Sequence, residues 1–241
     1  MKVAVLGLGE AGGRLADDLT AAGAEVHGYD PVVTPDGSAA EAVAGCDVVL
    51  SVNTAAVALA VATSVRAALR PDAVYADLNT SAPALKRELA ELLSSARFVD
   101  VALLGPVPAR GLATPALASG SGAEAFAALV GPLGMPIEVV SPVAGDAARR
   151  KLLRSVFMKG VAAATVESLE AAEAAGEAEW LRPQLDAVLG ARLVDRLLDG
   201  SRRHAVRRIE EMEAAAELLR ELDVEPSVAD AAAEVLRRIA E

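Results

Sequence analysis

Three glycines near the start of the chain limit what it can fold into more than anything else in its 241 residues. An apolar run, Val3 to Leu6, stops at Gly7. Gly7, Gly9 and Gly12 then fit G-x-G-x-x-G, ahead of a helix-forming run through Leu15 and Leu19. Each glycine has a mechanical reason. Gly7 permits a tight turn off a buried strand, Gly9 lets another group lie against bare backbone, and Gly12 lets a helix approach the sheet closely. The N–H groups of that helix's first turn suit a phosphate. A second strand-like run, Glu25 to Tyr29, ends in Asp30, eighteen positions after Gly12. A carboxylate there can take the two ribose hydroxyls of an adenosine. The pattern predicts a dinucleotide site from Gly7, Leu8, Gly9, Glu10, Ala11, Gly12 and Asp30. A turn of the same shape that binds nothing is the bland alternative.

Strand and helix signals alternate beyond this turn. Strands are expected at 2–6, 25–29, 47–52, 74–77, 98–103, 114–119 and 137–140, with helices between most of them. Ser38 and Ser81 are expected to cap two of these helices, and 105–111 reads as a loop. Short apolar strands separated by helices argue for a parallel sheet covered on both faces. From Asp146 the chain turns to Ala, Leu, Glu and Arg, and helices are expected at 146–175, 183–198, 201–222 and from a cap at Ser227 onward. The predicted architecture is an α/β, doubly wound parallel sheet over 1–143, followed by an all-helical domain over 144–241.

Composition narrows the function. Aromatic residues are only 2% of the chain, so Ala, Val and Leu must build the core. A net charge of −11 without basic runs argues against nucleic acid as a partner. The single cysteine, Cys46, excludes an internal disulfide and reads as a small buried hydrophobe, and two distant histidines argue against a metal site. No apolar run is long enough to span a membrane and no signal peptide is seen at Met1, so a cytoplasmic protein is expected.

Ligands of such sheets sit outside the C-terminal strand ends. That singles out Asn53 and Thr54 after the third strand and Asn79 and Thr80 after the fourth as cofactor contacts. All four are also ordinary turn residues. A nicotinamide enzyme acting on an alcohol needs a proton acceptor. Lys151, early in the long helix, is the candidate, although its pattern equally suits a surface lysine. It shares a helix side with Ser155 and Met158, with Leu153, Phe157 and Val161 opposite as a core stripe would be. Arg149, Arg150 and Arg154 flank it, and Arg154 is a candidate to hold an anionic substrate.

The opening 5–12, together with Ser51-Val-Asn-Thr54, Ala76-Asp-Leu-Asn-Thr-Ser-Ala-Pro83 and Val99-Asp100, resembles the β-hydroxyacid dehydrogenases, the group of 3-hydroxyisobutyrate and 6-phosphogluconate dehydrogenases. The stretch 149–160 resembles a branch with a distinct helical C-terminal domain. The resemblance implies hydride transfer between a nicotinamide cofactor and a hydroxyacid-like or other small alcohol or carbonyl substrate, in the crevice between two domains. In that family a catalytic lysine follows a glycine by six residues, as Lys151 follows Gly145. An asparagine one turn later holds substrate, where this chain has Ser155. The substrate loop Asp-x-Pro-Val-Ser-Gly-Gly is replaced by Asp100-Val-Ala-Leu-Leu-Gly-Pro106, which places Leu104 and Gly105 against a larger or less polar substrate. Asp30-Pro31 without a neighbouring arginine favours NAD over NADP. The short C-terminal part implies a homodimer formed through its helices. An imine-reducing relative and a non-catalytic, dinucleotide-sensing or scaffold protein are the alternatives.

Overall fold

A computed structural model describes all 241 residues. It divides into two compact units, Met1–Lys151 and Leu152–Glu241.

The first unit is a seven-stranded sheet, β1 (Lys2–Leu6), β2 (Glu25–Tyr29), β3 (Val48–Ser51), β4 (Val74–Asp77), β5 (Arg97–Leu103), β6 (Ala116–Ser119) and β7 (Ile137–Ser141), in the order β2-β1-β3-β4-β5-β6-β7. The strands read as continuous apolar runs because both faces are covered. Val3, Val5, Val48, Leu50, Val74 and Ala76 enter one core, and the alternate residues Ala4, Leu6, Val49 and Tyr75 enter the other. The first core is closed by Leu15 and Leu19 of α1 (Glu10–Ala21) and by Phe126 and Val130 of α6 (Ala123–Val130). The second is closed by α2 (Ala39–Val43), α3 (Ala55–Val65) and α4 (Pro83–Leu92).

One strand departs from the all-parallel expectation: β6 pairs antiparallel to β5, from Asp100 opposite Ser119 to Leu103 opposite Ala116. A parallel return needs a crossover of a dozen or more residues, usually a helix. Here the connection, residues 104–115, just reaches that length, but its only helical pieces are α5 (Val107–Arg110) and a 3-10 turn at Gly111–Ala113, too short to carry the chain back along the sheet, so it doubles back. Ser38 does cap α2, accepting from the Glu41 N–H at 3.2 Å. Ser81 does not cap α4. Ala82 holds that position, and the Ser81 hydroxyl is buried without a partner.

The long helix α7 (Asp146–Ala175) has the predicted bounds. Its first turn belongs to the sheet, since Ala147 N–H donates to Ser119 Oγ (3.0 Å) and Ala148 N–H to Asp100 Oδ2 (2.9 Å). The unit boundary therefore falls after Lys151, eight residues beyond the expected 143.

The second unit contains the rest of α7 with α8 (Ala178–Leu189), α9 (Ala191–Arg203), α10 (Ala205–Glu221) and α11 (Ser227–Ala240). Leu152, Val166, Met212, Leu218, Val235 and Leu236 form its core. The expected stripe on α7 is wrong. Leu153 and Phe157 are exposed, Phe157 at 70%, while Leu152 and Ser155 are buried. The breaks also differ: Pro183 lies inside α8 and Gly200 inside α9, and the chain turns at Gly190 and His204 instead. Ser227 is the first residue of α11, not a cap that bonds its end.

Candidate dinucleotide and catalytic site

The glycine turn is built as its spacing implies. Gly7 has φ +99, and a Cβ there would lie 2.2 Å from Val52 O. Its N–H donates to Tyr29 O at 2.8 Å, which joins the turn to the end of β2. Gly12 would drive a Cβ to 1.9 Å from Gly7 O, so only glycine lets α1 cross this close. Gly9 differs: nothing lies within 4 Å of where its Cβ would stand. It occupies the N-cap position of α1, and no side chain caps that helix. Open space against bare backbone, at an uncapped helix N-terminus, fits the pyrophosphate of a dinucleotide. Glu10 is exposed in the first turn, and Ala11 packs on the core beside Leu8.

Asp30, at the end of β2, has a structural task. Its carboxylate accepts from Leu8 N–H (2.9 Å), Val32 N–H (2.9 Å) and, more loosely, Val33 N–H (3.4 Å). These backbone donors, Leu8 first, hold its carboxyl below the ordinary carboxylate range. A cleft of about 400 Å³ at the end of β2 is bordered by His27, Tyr29, Thr34, Ser38 and Glu41, and Asp30 does not line it.

The strand ends after β3 and β4 are knitted together. Asn53 N–H donates to Asn79 Oδ1 (2.7 Å), Asn79 Nδ2 donates back to Asn53 Oδ1 (2.9 Å), and Asn53 Nδ2 reaches Ser51 Oγ (3.0 Å). Asn79 also donates to the Asp77 carboxylate. It is buried, with its amide fully engaged inside the protein, so it braces Asn53. Asn53 is half-buried and Thr54 exposed at the start of α3.

Lys151, on the first turns of α7, donates to Thr80 Oγ1 at 2.7 Å. The structure thus brings the candidate lysine to the residue after Asn79, at the C-terminal strand ends. The neighbouring cations are tied elsewhere: Arg149 to Asp146 (3.1 Å) and Arg150 to Glu138 (3.3 Å). Leu104 is half-buried against Ala102, Leu117 and Ala147. Its N–H donates to Pro115 O at 2.8 Å, and the Arg110 stem runs alongside Gly105. In the second unit, Arg154 is exposed. Ser155 is buried and donates to Glu211, and Lys159 also bonds Glu211, at 2.9 Å. The hydroxyl of Ser155 is thereby held inside the helical unit.

Sequence reasoning missed Lys86. It is fully buried on the sheet side of α4, with Pro83 and Leu89. Its ammonium lies 2.6 Å from Asp77 Oδ2, 3.0 Å from Asp77 O and 3.2 Å from Asp100 Oδ1. The Asp100 contact is an ion pair off the hydrogen-bond direction. Burial alone would lower the lysine pKa, but the two carboxylates outweigh it and raise it. The available signal was an aspartate at the end of one apolar strand, Asp77, and another inside the next, Asp100. A buried carboxylate demands a buried cation.

Residues 2–130 match the NAD binding domain of 6-phosphogluconate dehydrogenase, and residues 172–239 match a domain of unknown function, DUF1932. An uncharacterised 28.5 kDa protein of Methanothermus fervidus is 30% identical over 142 residues, and the matched stretch spans 58% of this chain and 55% of that protein. The conserved protein MTH1747, of unknown function, superposes with a TM-score of 0.77 at 30% identity, covering 99% of this chain and 96% of that one. A Mycobacterium tuberculosis 3-hydroxyisobutyrate dehydrogenase shares the fold, with a TM-score of 0.81 at 22% identity, covering 99% and 93%. With the first 130 residues matched and the glycine turn intact, the chain belongs to the family built on the NAD-binding domain of 6-phosphogluconate dehydrogenase.

Proposed function

We propose that the chain is an NAD-dependent oxidoreductase acting on a hydroxyacid-like or other small alcohol or carbonyl substrate. The observation that carries this reading is the Lys151–Thr80 contact at the strand ends, in the same unit as the open turn at Gly9. When bound, the nicotinamide supplies the hydride acceptor or donor. Gly9 and the first turn of α1 hold the pyrophosphate, and Asp30 accepts from the adenosine ribose. Asn53 orients the remainder. Lys151 exchanges a proton with the substrate oxygen, its Nζ aimed by Thr80. Leu104 lines the substrate region with an apolar surface, which suits a substrate less polar than a small hydroxy acid. Asp30 disfavours a 2′-phosphate, so NAD is preferred to NADP.

The test is Lys151→Ala, assayed over a panel of hydroxy acids, aldehydes and imines, with NADH and NADPH titrated alongside. Turnover is expected to fall about 100-fold or more, with NADH binding unchanged and tighter than NADPH binding. Undiminished turnover would overturn the role of Lys151. NADH binding without turnover by the unaltered protein on any substrate would favour a sensing role. We also infer that the protein is a homodimer joined through the second unit. Phe157 and Trp180 support this, exposed there at 70% and 63%.

A further inference from the structure

We propose that Lys86 is a positioning residue, a buried cation that holds the strand-end asparagines and the start of α7 in the arrangement Lys151 needs. This deepens the function proposed above and rests on it for its catalytic meaning.

The connections run two ways from one ammonium. Toward β4, Lys86 binds Asp77, Asp77 receives the Asn79 amide, and Asn79 holds both the backbone and side chain of Asn53. Toward β5, Lys86 faces Asp100. The Asp100 carboxylate takes the Ala148 N–H directly at 2.9 Å and reaches Ala147 through Ser119, whose hydroxyl donates to Asp100 at 3.2 Å. Lys151 follows three residues after Ala148. The two branches meet again where Lys151 bonds Thr80, next to Asn79.

Lys86 stands between two buried carboxylates, and burial pushes the Asp77 carboxyl above its ordinary value. The N-terminus of α7, whose N–H groups carry the positive end of the helix dipole, meets the Asp100 carboxylate through Ala148. Lys86 and the start of α7 therefore share one carboxylate. Stability does not explain the choice of residues, since apolar side chains of similar volume often replace a buried ion cluster at no cost. What the cluster adds is direction: it fixes three elements at defined distances.

Lysine-selective carbon-13 labelling provides the test, because Lys2, Lys86, Lys151 and Lys159 are the only lysines. The measurement is the titration of the Lys151 Cε signal without cofactor, in the unaltered protein and in Lys86→Met. The expected result is a shifted Lys151 midpoint, with Lys2 and Lys159 unmoved, and about tenfold weaker NADH binding, or about 1.4 kcal/mol. General loosening would move all the signals together and would count against the proposal. Should Lys86→Met fail to fold, Ser119→Ala decides. It cuts the link from Asp100 to Ala147 without changing any charge, and the same selective shift is expected. A Lys151 signal unmoved in the deciding variant overturns the proposal. Failure of the unaltered protein to bind NADH would sink the proposed function but leave this readout intact.

Discussion

Gly9 and Gly12 stand three residues apart and answer to different demands. Gly12 is required by the fold, because any Cβ would strike the Gly7 carbonyl. Gly9 has φ −65 and empty space beside it, so the fold tolerates a methyl group there. The two substitutions should therefore separate. Gly12→Ala is expected to cost on the order of 2 kcal/mol through overpacking. Gly9→Ala is expected to leave the melting temperature unchanged or slightly raised, because alanine restricts the unfolded chain, while NADH binding is lost. Thermal melts and fluorescence titration of both variants check this; a Gly9→Ala protein that binds NADH normally would contradict it. The spacing revealed that glycines were needed, because the turn is local. It did not reveal that Asn79 is occupied with Asn53, Ser51 and Asp77, because two of those partners stand at the end of another strand, 26 and 28 residues away, and the third at its own strand end.

At the scale of elements, Asp30 ties the end of β2 to the turn after β1 through Leu8 N–H. Its carboxyl is held low in the fold. The stabilisation it contributes is thus present above the ordinary carboxylate pKa of about 3.9 and is lost as pH falls through the lower, folded value. Asp30→Asn should be less stable than the parent at pH 7, and the difference should close in acid below about pH 4. Urea midpoints at the two pH values measure it; a gap that persists in acid would show that shape, not charge, holds the turn. The strands were legible as short apolar runs, and α7 as one long run between Gly145 and Gly176. The helices after it were not. Gly200 looks like a stop signal, yet it lies inside α9, where a Cβ would meet Arg208 Nη2 at 2.2 Å. It makes room for a side chain from α10. Pro183 looks like a start, but α8 already begins at Ala178, after the left-handed turn at Gly176. Close approach and turn formation ask for the same residue type, so sequence alone does not separate them.

Over the whole molecule, the two units differ in where their large aromatic side chains lie. Tyr75, Phe98 and Phe126 are all enclosed in the first. Phe157, Trp180, Val188 and Val206 are exposed in the second. If the second unit pairs with its copy, sedimentation should give twice the chain mass at micromolar concentration. Phe157→Glu should release monomers, and an unaltered protein that stays monomeric would refute the homodimer. No helix is long and apolar enough to cross a membrane. The double duty of Asp30 also bears on how such a protein can change over generations. On the function proposed above, a lineage moving from NAD to its phosphorylated relative would ordinarily discard that carboxylate, and here the loss would loosen the glycine turn that Asp30 holds through Leu8 N–H. The easier route keeps Asp30 and recruits a cation at Val32 or Val33, which are exposed in the adjoining loop. Cofactor preference in this branch would then drift by changes in that loop while the strand end stays as it is.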